Sequence, residues 1–263
     1  AAASSGAGGG AAGRGSGGSG ASGGGGGTSA GGGAGGGTGG GGASGGAGGK
    51  GGSGGSGGSG GVSASCPAGG VATLKDAFSA ALSTSVWDKY ITSKGSIDTT
   101  AGDLLAKPGL DAGHYVGIIS SATLTLDDCA MWVEVKKPLA ATANGETFFM
   151  ATVDNSMDAE MTATPDGASP SGLKLVFGVE QGGVEDNQSV HYDGAQHRWW
   201  RMRFPPGKVA FDTSPDGKKW TERRLANRPA GMTAVSIELG AGTWASNTTA
   251  PVATFDNLNV APP

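Results

Sequence analysis

Any chemistry in this chain has to come from few parts. Its seven glutamates are Glu134, Glu146, Glu160, Glu180, Glu185, Glu222 and Glu238. The two nearest in sequence, Glu180 and Glu185, sit in a Gly-Gly turn at a spacing of the wrong strand parity for a shared face. His114, His191 and His197 form no H-E-x-x-H zinc pattern, and there is no G-x-S-x-G elbow or phosphate-binding glycine loop. On these grounds the chain reads as a non-enzyme, with no catalytic residue and no cofactor assigned. Asp127-Asp128 and Asp154-Asn155 could donate oxygens to a calcium ion from loops, but acidic turns are common and no metal ligand set is assigned.

Binding is the sharper option. Along His197 to Phe204, period-two alternation sends Trp200, Met202 and Phe204 to one face, where they should be core. His197, Trp199, Arg201 and Arg203 go to the other. An aromatic surface beside guanidinium groups can stack on a sugar and hydrogen-bond its hydroxyls, so His197, Trp199 and Arg201 are candidate carbohydrate-binding residues. The competing reading is a ladder in which Arg201 and Arg203 pair across the sheet with Asp212 or Glu222.

The elements that carry these residues are short alternating runs separated by turn residues. Expected strands are Gly113 to Ser120, Ala130 to Lys136, Thr147 to Val153, Met157 to Ala163, Gly172 to Val179, Ser189 to Tyr192, His197 to Phe204, Lys208 to Thr213, Thr233 to Leu239 and Val252 to Val260. Asn144-Gly145 and Asp216-Gly217 supply hairpin turns. About a dozen strands in some 200 residues predict an all-β, two-sheet antiparallel jelly-roll sandwich. Cys66 and Cys129 are the only cysteines, and an even pair with one member at the start of the domain reads as a disulfide, which implies an oxidising compartment.

Residues 1–61 are of another kind. They contain 36 glycines, no proline, no acidic residue and no apolar side chain larger than alanine, so they cannot build a hydrophobic core. From Gly15 to Gly60 every third residue is glycine except Ala21 and Ala30, and the period is strictest through Gly45, Gly48, Gly51, Gly54, Gly57 and Gly60. One reading is a flexible Gly/Ser linker. The other, if the tract is ordered, is an extended polyglycine II-like helix of three residues per turn whose outward backbone groups are satisfied by neighbouring chains. At about 3.1 Å per residue it would reach roughly 190 Å. Collagen is disfavoured because its proline is missing.

The division is therefore 1–61, a stalk or assembly segment, and 62–263, one domain. The net charge of −4 splits into +2 for the tract (Arg14 and Lys50) and −6 for the domain, which argues against nucleic acid as a partner. No apolar run approaches the roughly 20 residues that span a bilayer. The start at Ala-Ala-Ala-Ser-Ser suggests an exported chain, and the expected setting is extracellular or cell-surface.

The runs His197 to Phe204, Val209 to Thr221 with Thr213-Ser214-Pro215-Asp216-Gly217 and Trp220, and Ala253 to Asn257 ending in Phe255-Asp256-Asn257 together resemble the concanavalin A-like jelly rolls of secreted bacterial proteins. Leu74 to Phe78 with Trp87 looks like the first strand of such domains, which pairs with the last. The resemblance covers about residues 71–260 and implies the fold. Glycosidases of this superfamily carry an "ExDxxE" strand, which is missing here. Two functions from different classes follow. The first is a non-enzymatic structural protein, a fibre or stalk subunit that assembles as a homo-oligomer or polymer through its glycine tract and displays the jelly roll. The second is a carbohydrate-binding or adhesive module with a groove lined by Trp199 or another of the six tryptophans.

Overall fold

The computed structural model describes residues 66–92, 94–100 and 102–262. The glycine tract, including Gly45 to Gly60 and the assembly role expected of it, lies outside the described residues. Fifteen strands run in chain order: β1 Trp87–Ile91, β2 Gly95–Thr100, β3 Asp103–Pro108, β4 His114–Ser120, β5 Leu124–Thr125, β6 Ala130–Lys137, β7 Gly145–Asp154, β8 Met157–Pro165, β9 Leu173–Gln181, β10 Val184–His191, β11 Trp199–Arg203, β12 Lys208–Ser214, β13 Thr221–Asn227, β14 Ala234–Thr243 and β15 Ala253–Asp256. They form two sheets. The eight-stranded sheet has the order β1-β4-β14-β7-β8-β9-β10, with β5 attached to β14, and the seven-stranded sheet has the order β13-β12-β11-β6-β15-β3-β2. All strand pairs are antiparallel, as the jelly-roll expectation requires.

The core is made by every second residue of each strand. Trp200, Met202 and Phe204 of the β11 region are sealed inside, as alternation predicted, against Phe149, Phe177, Phe211 and Phe255 from other strands. The strands missing from the expected list are β1, β2, β3, the two-residue β5 and β13. Gly95, Asp98, Asp103 and Pro108 give β2 and β3 weak intrinsic strand preference, and β13 is a charged edge (Thr-Glu-Arg-Arg), so neighbouring ladders rather than local pattern make them extended. Leu74 to Phe78 pairs with the last segment through a single backbone bridge, Asp76 to Leu258, rather than as a strand. The Asp76 carboxylate accepts from the Phe78 N–H (2.7 Å) and the Trp87 Nε1–H (2.8 Å), and Phe78 has φ +48°, which turns the chain out of extension.

Both ends of the domain are tied down. Cys66 and Cys129 form a disulfide, and Gly70 lies so close to both sulfurs that a Cβ there would stand about 2.5 Å from them. Asn259, fully buried, donates to the carbonyls of Val71 and Leu74 (both 2.8 Å) and accepts the Trp132 N–H (2.8 Å), so one amide joins the first segment, β6 and the last segment. The disulfide closes a 63-residue separation, which in the chain-entropy picture stabilises by about 4 kcal/mol. Reduction should lower Tm by about 10 °C in calorimetry, and an unchanged Tm in excess reductant would show that the bridge constrains nothing.

Candidate functional site

The residues first suspected of sugar binding are placed on the outer face of the seven-stranded sheet, under cover. Trp199 is 3 % exposed, packs with Ala130 and Trp132, and is roofed by Gly217 and Pro262. His197 accepts the Asp193 N–H at Nδ1 (3.1 Å), and burial, followed by the Arg223 charge, pushes its pKa down to about 4. Arg201 pairs with Asp212 (2.8 Å) and stacks 4.2 Å over the Trp220 ring, while Arg203 reaches Asp212 (2.7 Å) and Glu222 (2.7 Å). This is the cross-strand ladder weighed above as the competing arrangement. A pocket of about 430 Å³ beside Trp199 is walled by charges already paired with each other, Arg198 with Glu134 (2.6 Å) and Lys136 with Asp256 (2.7 Å). The three residues do not make an open sugar surface together.

The opposite sheet presents a different face. Strand registers set its outward side chains in rows. One row runs Ile119, Glu238, Met150, Glu160, Gly178, Asn187 across β4, β14, β7, β8, β9 and β10. Beside it on one side lie Tyr90, Gly117, Gly240, Phe148 and Thr162, then Tyr115, Gly242 and Glu146. On the other side lie Thr152, Asp158, Glu180 and Glu185. Glu180 and Glu185 are directly opposite each other, which corrects the parity argument made from their spacing, because parity is not carried through a hairpin turn.

The glycines shape this face. Tyr90 lies on Gly117, Phe148 on Gly240 and Tyr115 on Gly242, and a Cβ at any of the three would run into the ring above it. The rings therefore lie flat and deliver their hydroxyls sideways. Tyr90 donates to Glu238 Oε1, and Tyr115 donates to Glu146 Oε1 (3.2 Å). Thr162 donates to Glu160 Oε2 (3.2 Å), and Glu160 rests on Gly178 beside Asn187. Although they point away from the core, Phe148, Asp158 and Thr162 are nearly fully covered, and Glu185 raises the pKa of Glu146 from three strands away. The sheet thus curls into a trough whose side chains converge.

Carboxylates in such a trough lose hydration. Burial, with Asp158 and then Glu146 adding negative charge, pushes Glu160 up to about 8. Burial pushes Glu146 up to about 7, against the opposing effect of the Tyr115 hydrogen bond. Burial and the neighbouring Glu238 raise Tyr90 well above its ordinary value. Around neutrality the trough therefore holds carboxyls that keep protons an exposed glutamate would already have released, which is the property a general acid needs. Sequence reasoning missed Tyr90, Tyr115, Glu146, Glu160 and Glu238. The available signal was glycine inside strand patterns, at Gly117, Gly240 and Gly242, which marks close approach of another group.

Among the described residues no group of three or more His, Cys, Asp or Glu side chains is placed to hold a metal ion. Of the loop acids weighed for calcium, Asp127 pairs with Arg228 (3.3 Å) and Asp154 accepts from the Ser156 N–H (2.7 Å) and Oγ–H (2.8 Å).

The two sheets form a concanavalin A-like jelly-roll fold, which solved β-glucanase structures share. The chain is similar in structure to a Bacillus licheniformis β-glucanase (TM-score 0.52, 15% identity, 70% of this chain and 95% of that one). It is likewise similar to a glycoside hydrolase family 16 endo-glucanase from Bacteroides ovatus (TM-score 0.53, 11% identity, 71% and 98%). A third match is a prokaryotic β-1,3-1,4-glucanase from a mouse hindgut metagenome (TM-score 0.51, 14% identity, 70% and 96%). No protein-family model matches the chain, and no curated protein is similar to it in sequence. These likenesses correct two expectations. The chain is not read further as a non-enzymatic fibre or stalk subunit, nor catalysis as absent, because its architecture is shared with glucanases and its trough holds carboxyls that the linear motif search could not assemble. Among the described residues no helix is long and apolar enough to cross a membrane.

Proposed function

We propose that the trough of the eight-stranded sheet binds an uncharged β-linked polysaccharide in an extracellular or cell-surface setting and cleaves it by hydrolysis. The observation that carries this reading is the trough itself, where Tyr90, Phe148 and Tyr115 lie flat on Gly117, Gly240 and Gly242 and the half-buried Glu160 and Glu146 share the same face. Glu160 donates its proton to the bridging oxygen as the glycosidic C–O bond breaks, and a water molecule adds at the anomeric carbon and gives its proton to an ionised carboxylate of the trough. The flat Tyr90, Phe148 and Tyr115 rings offer apolar floor to sugar C–H groups. Glu185, whose charge raises both carboxyls, adds negative charge to the same face, which disfavours uronate or sulfated chains. The disulfide fits the oxidising setting.

The test is release of reducing ends from β-1,3-1,4-glucan, with pectate as the charged comparison, alongside a pull-down on the insoluble glucan. Cleavage of the neutral polymer and indifference to pectate are expected. Retention on glucan without new reducing ends would remove the catalytic half of the reading, and neither retention nor cleavage would remove all of it.

A further inference from the structure

The cavity of about 430 Å³ on the outer face of the seven-stranded sheet lies between β6, the start of β11, the β12–β13 turn and the segment after β15, and the trough makes no use of it. The carboxylates in its wall are already committed. Glu134, 4 % exposed, accepts Arg198 Nε (2.6 Å) and Nη2 (2.5 Å) on one oxygen and the Asn257 side-chain amide (2.7 Å) on the other. Asp256 accepts the Asn257 N–H (2.7 Å) on one oxygen and Lys136 (2.7 Å) on the other. Asp216 Oδ1 accepts the backbone N–H groups of Lys218 (2.8 Å) and Lys219 (2.9 Å). Asn257 serves both Glu134 and Asp256 from a left-handed φ of +52°, which asparagine tolerates better than most residues.

What the wall has to spare is donors. A guanidinium carries five N–H bonds in a fixed fork, and Arg198 turns its Nε–Nη2 edge to Glu134. Its other edge, Nη1 with the second Nη2 hydrogen, is left for the cavity and fits a carboxylate or phosphate in bidentate fashion. Lys136 gives two of its three N–H bonds to Asp103 (2.6 Å) and Asp256. Trp199 is the sharper sign. It is covered to 3 % exposure, yet its Nε1–H meets no acceptor among the described residues, where Thr152 Oγ1 alone is sealed without a partner. The indole N–H therefore keeps its opening through the cavity that Trp199 lines.

We propose that this cavity binds an oxyanion, a carboxylate or phosphate carried on a small molecule or a chain end. Arg198 supplies the bidentate contact, Trp199 Nε1 a neutral donor and Lys218 a further positive charge, while buried Glu134 is the positioning residue that aims the guanidinium. Three carboxylates balance three cations in the wall, so affinity comes from directed hydrogen bonds, and dissociation constants in the millimolar range are expected. The site is separate from the trough and does not depend on the hydrolysis proposed there.

The test follows the tryptophan indole N–H signals by nitrogen–proton NMR while inorganic phosphate, glucose 6-phosphate, glucuronate or glucose is added. The Trp199 signal is the one missing from Trp199→Phe. It should shift saturably with the anions and stay still with glucose, and glucuronate against glucose 6-phosphate separates a carboxylate source from a phosphate one. Arg198→Lys keeps the charge against Glu134 but loses the fork, and should weaken binding about tenfold. Lys218→Ala, at an exposed turn position, should weaken it severalfold without disturbing the fold. A response to only one of the two sugar anions supports the proposal and identifies the oxyanion. A Trp199 signal unmoved by all three anions, or moved equally by glucose, overturns it, as does binding unchanged in both Arg198→Lys and Lys218→Ala.

Discussion

Glu160→Gln should lower turnover on neutral β-glucan by about 10²- to 10⁴-fold while leaving affinity within a few-fold, since glutamine keeps the shape and the Thr162 contact but has no proton to donate. In the parent protein the rate should fall as Glu160 loses its proton near pH 8, and this basic limb should be absent from whatever activity Glu160→Gln retains. The same groups leave a mark on stability. Both carboxyls hold protons in the folded chain well above the pH at which an unfolded glutamate releases them, so the folded state binds more protons across that range. Their stabilising effect is complete below about pH 4.5 and declines as pH rises through about 7 and 8. Urea midpoints from pH 5 to 9 should therefore slope down less steeply for Glu160→Gln than for the parent. A parallel pair of slopes, or full activity in the glutamine variant, would remove Glu160 from the mechanism.

Asp212→Ala should destabilise the domain by about 3–5 kcal/mol. Asp212 is fully buried and receives Arg201 Nε (2.8 Å) and Arg203 Nε (2.7 Å) on one oxygen and Arg203 Nη2 (3.0 Å) on the other. Truncation takes from the buried Arg201 guanidinium the Asp212 half of its ion pair, and removing one partner of a buried ion pair costs more than the lost hydrogen bonds. Replacing the pair together, Arg201→Met with Asp212→Leu, removes both charges and should recover most of the loss. Urea unfolding measures this directly. A loss below about 1 kcal/mol for Asp212→Ala would mean that water reaches Arg201 and that the ladder is a surface feature.

Much of the fold was legible because its causes are local. Alternation placed Trp200, Met202 and Phe204 in the core, Asp216-Gly217 marked the turn where Gly217 takes φ +70°, and two cysteines sufficed for one disulfide. The readings that failed depend on what covers a face. Trp199 and Arg201 do point outward from the sandwich, but the Gly217 turn closes on Trp199 and the Trp220 ring lies against Arg201, and strand parity carries no information about a second layer. The glutamates were dismissed because no strand carries the "ExDxxE" spacing, yet Glu146 and Glu160 stand on the two arms of the β7–β8 hairpin and Glu238 joins them from β14, far away in sequence.

The sequence by itself determined which side chains alternate, where the chain turns and that the domain is an antiparallel sandwich, since these follow from backbone sterics and the period of two. Tertiary structure alone decided that tyrosines would lie on glycines and that six carboxylates would converge in a curled sheet. Register between distant strands, and the dehydration produced when they curl together, belong to no single segment of the chain.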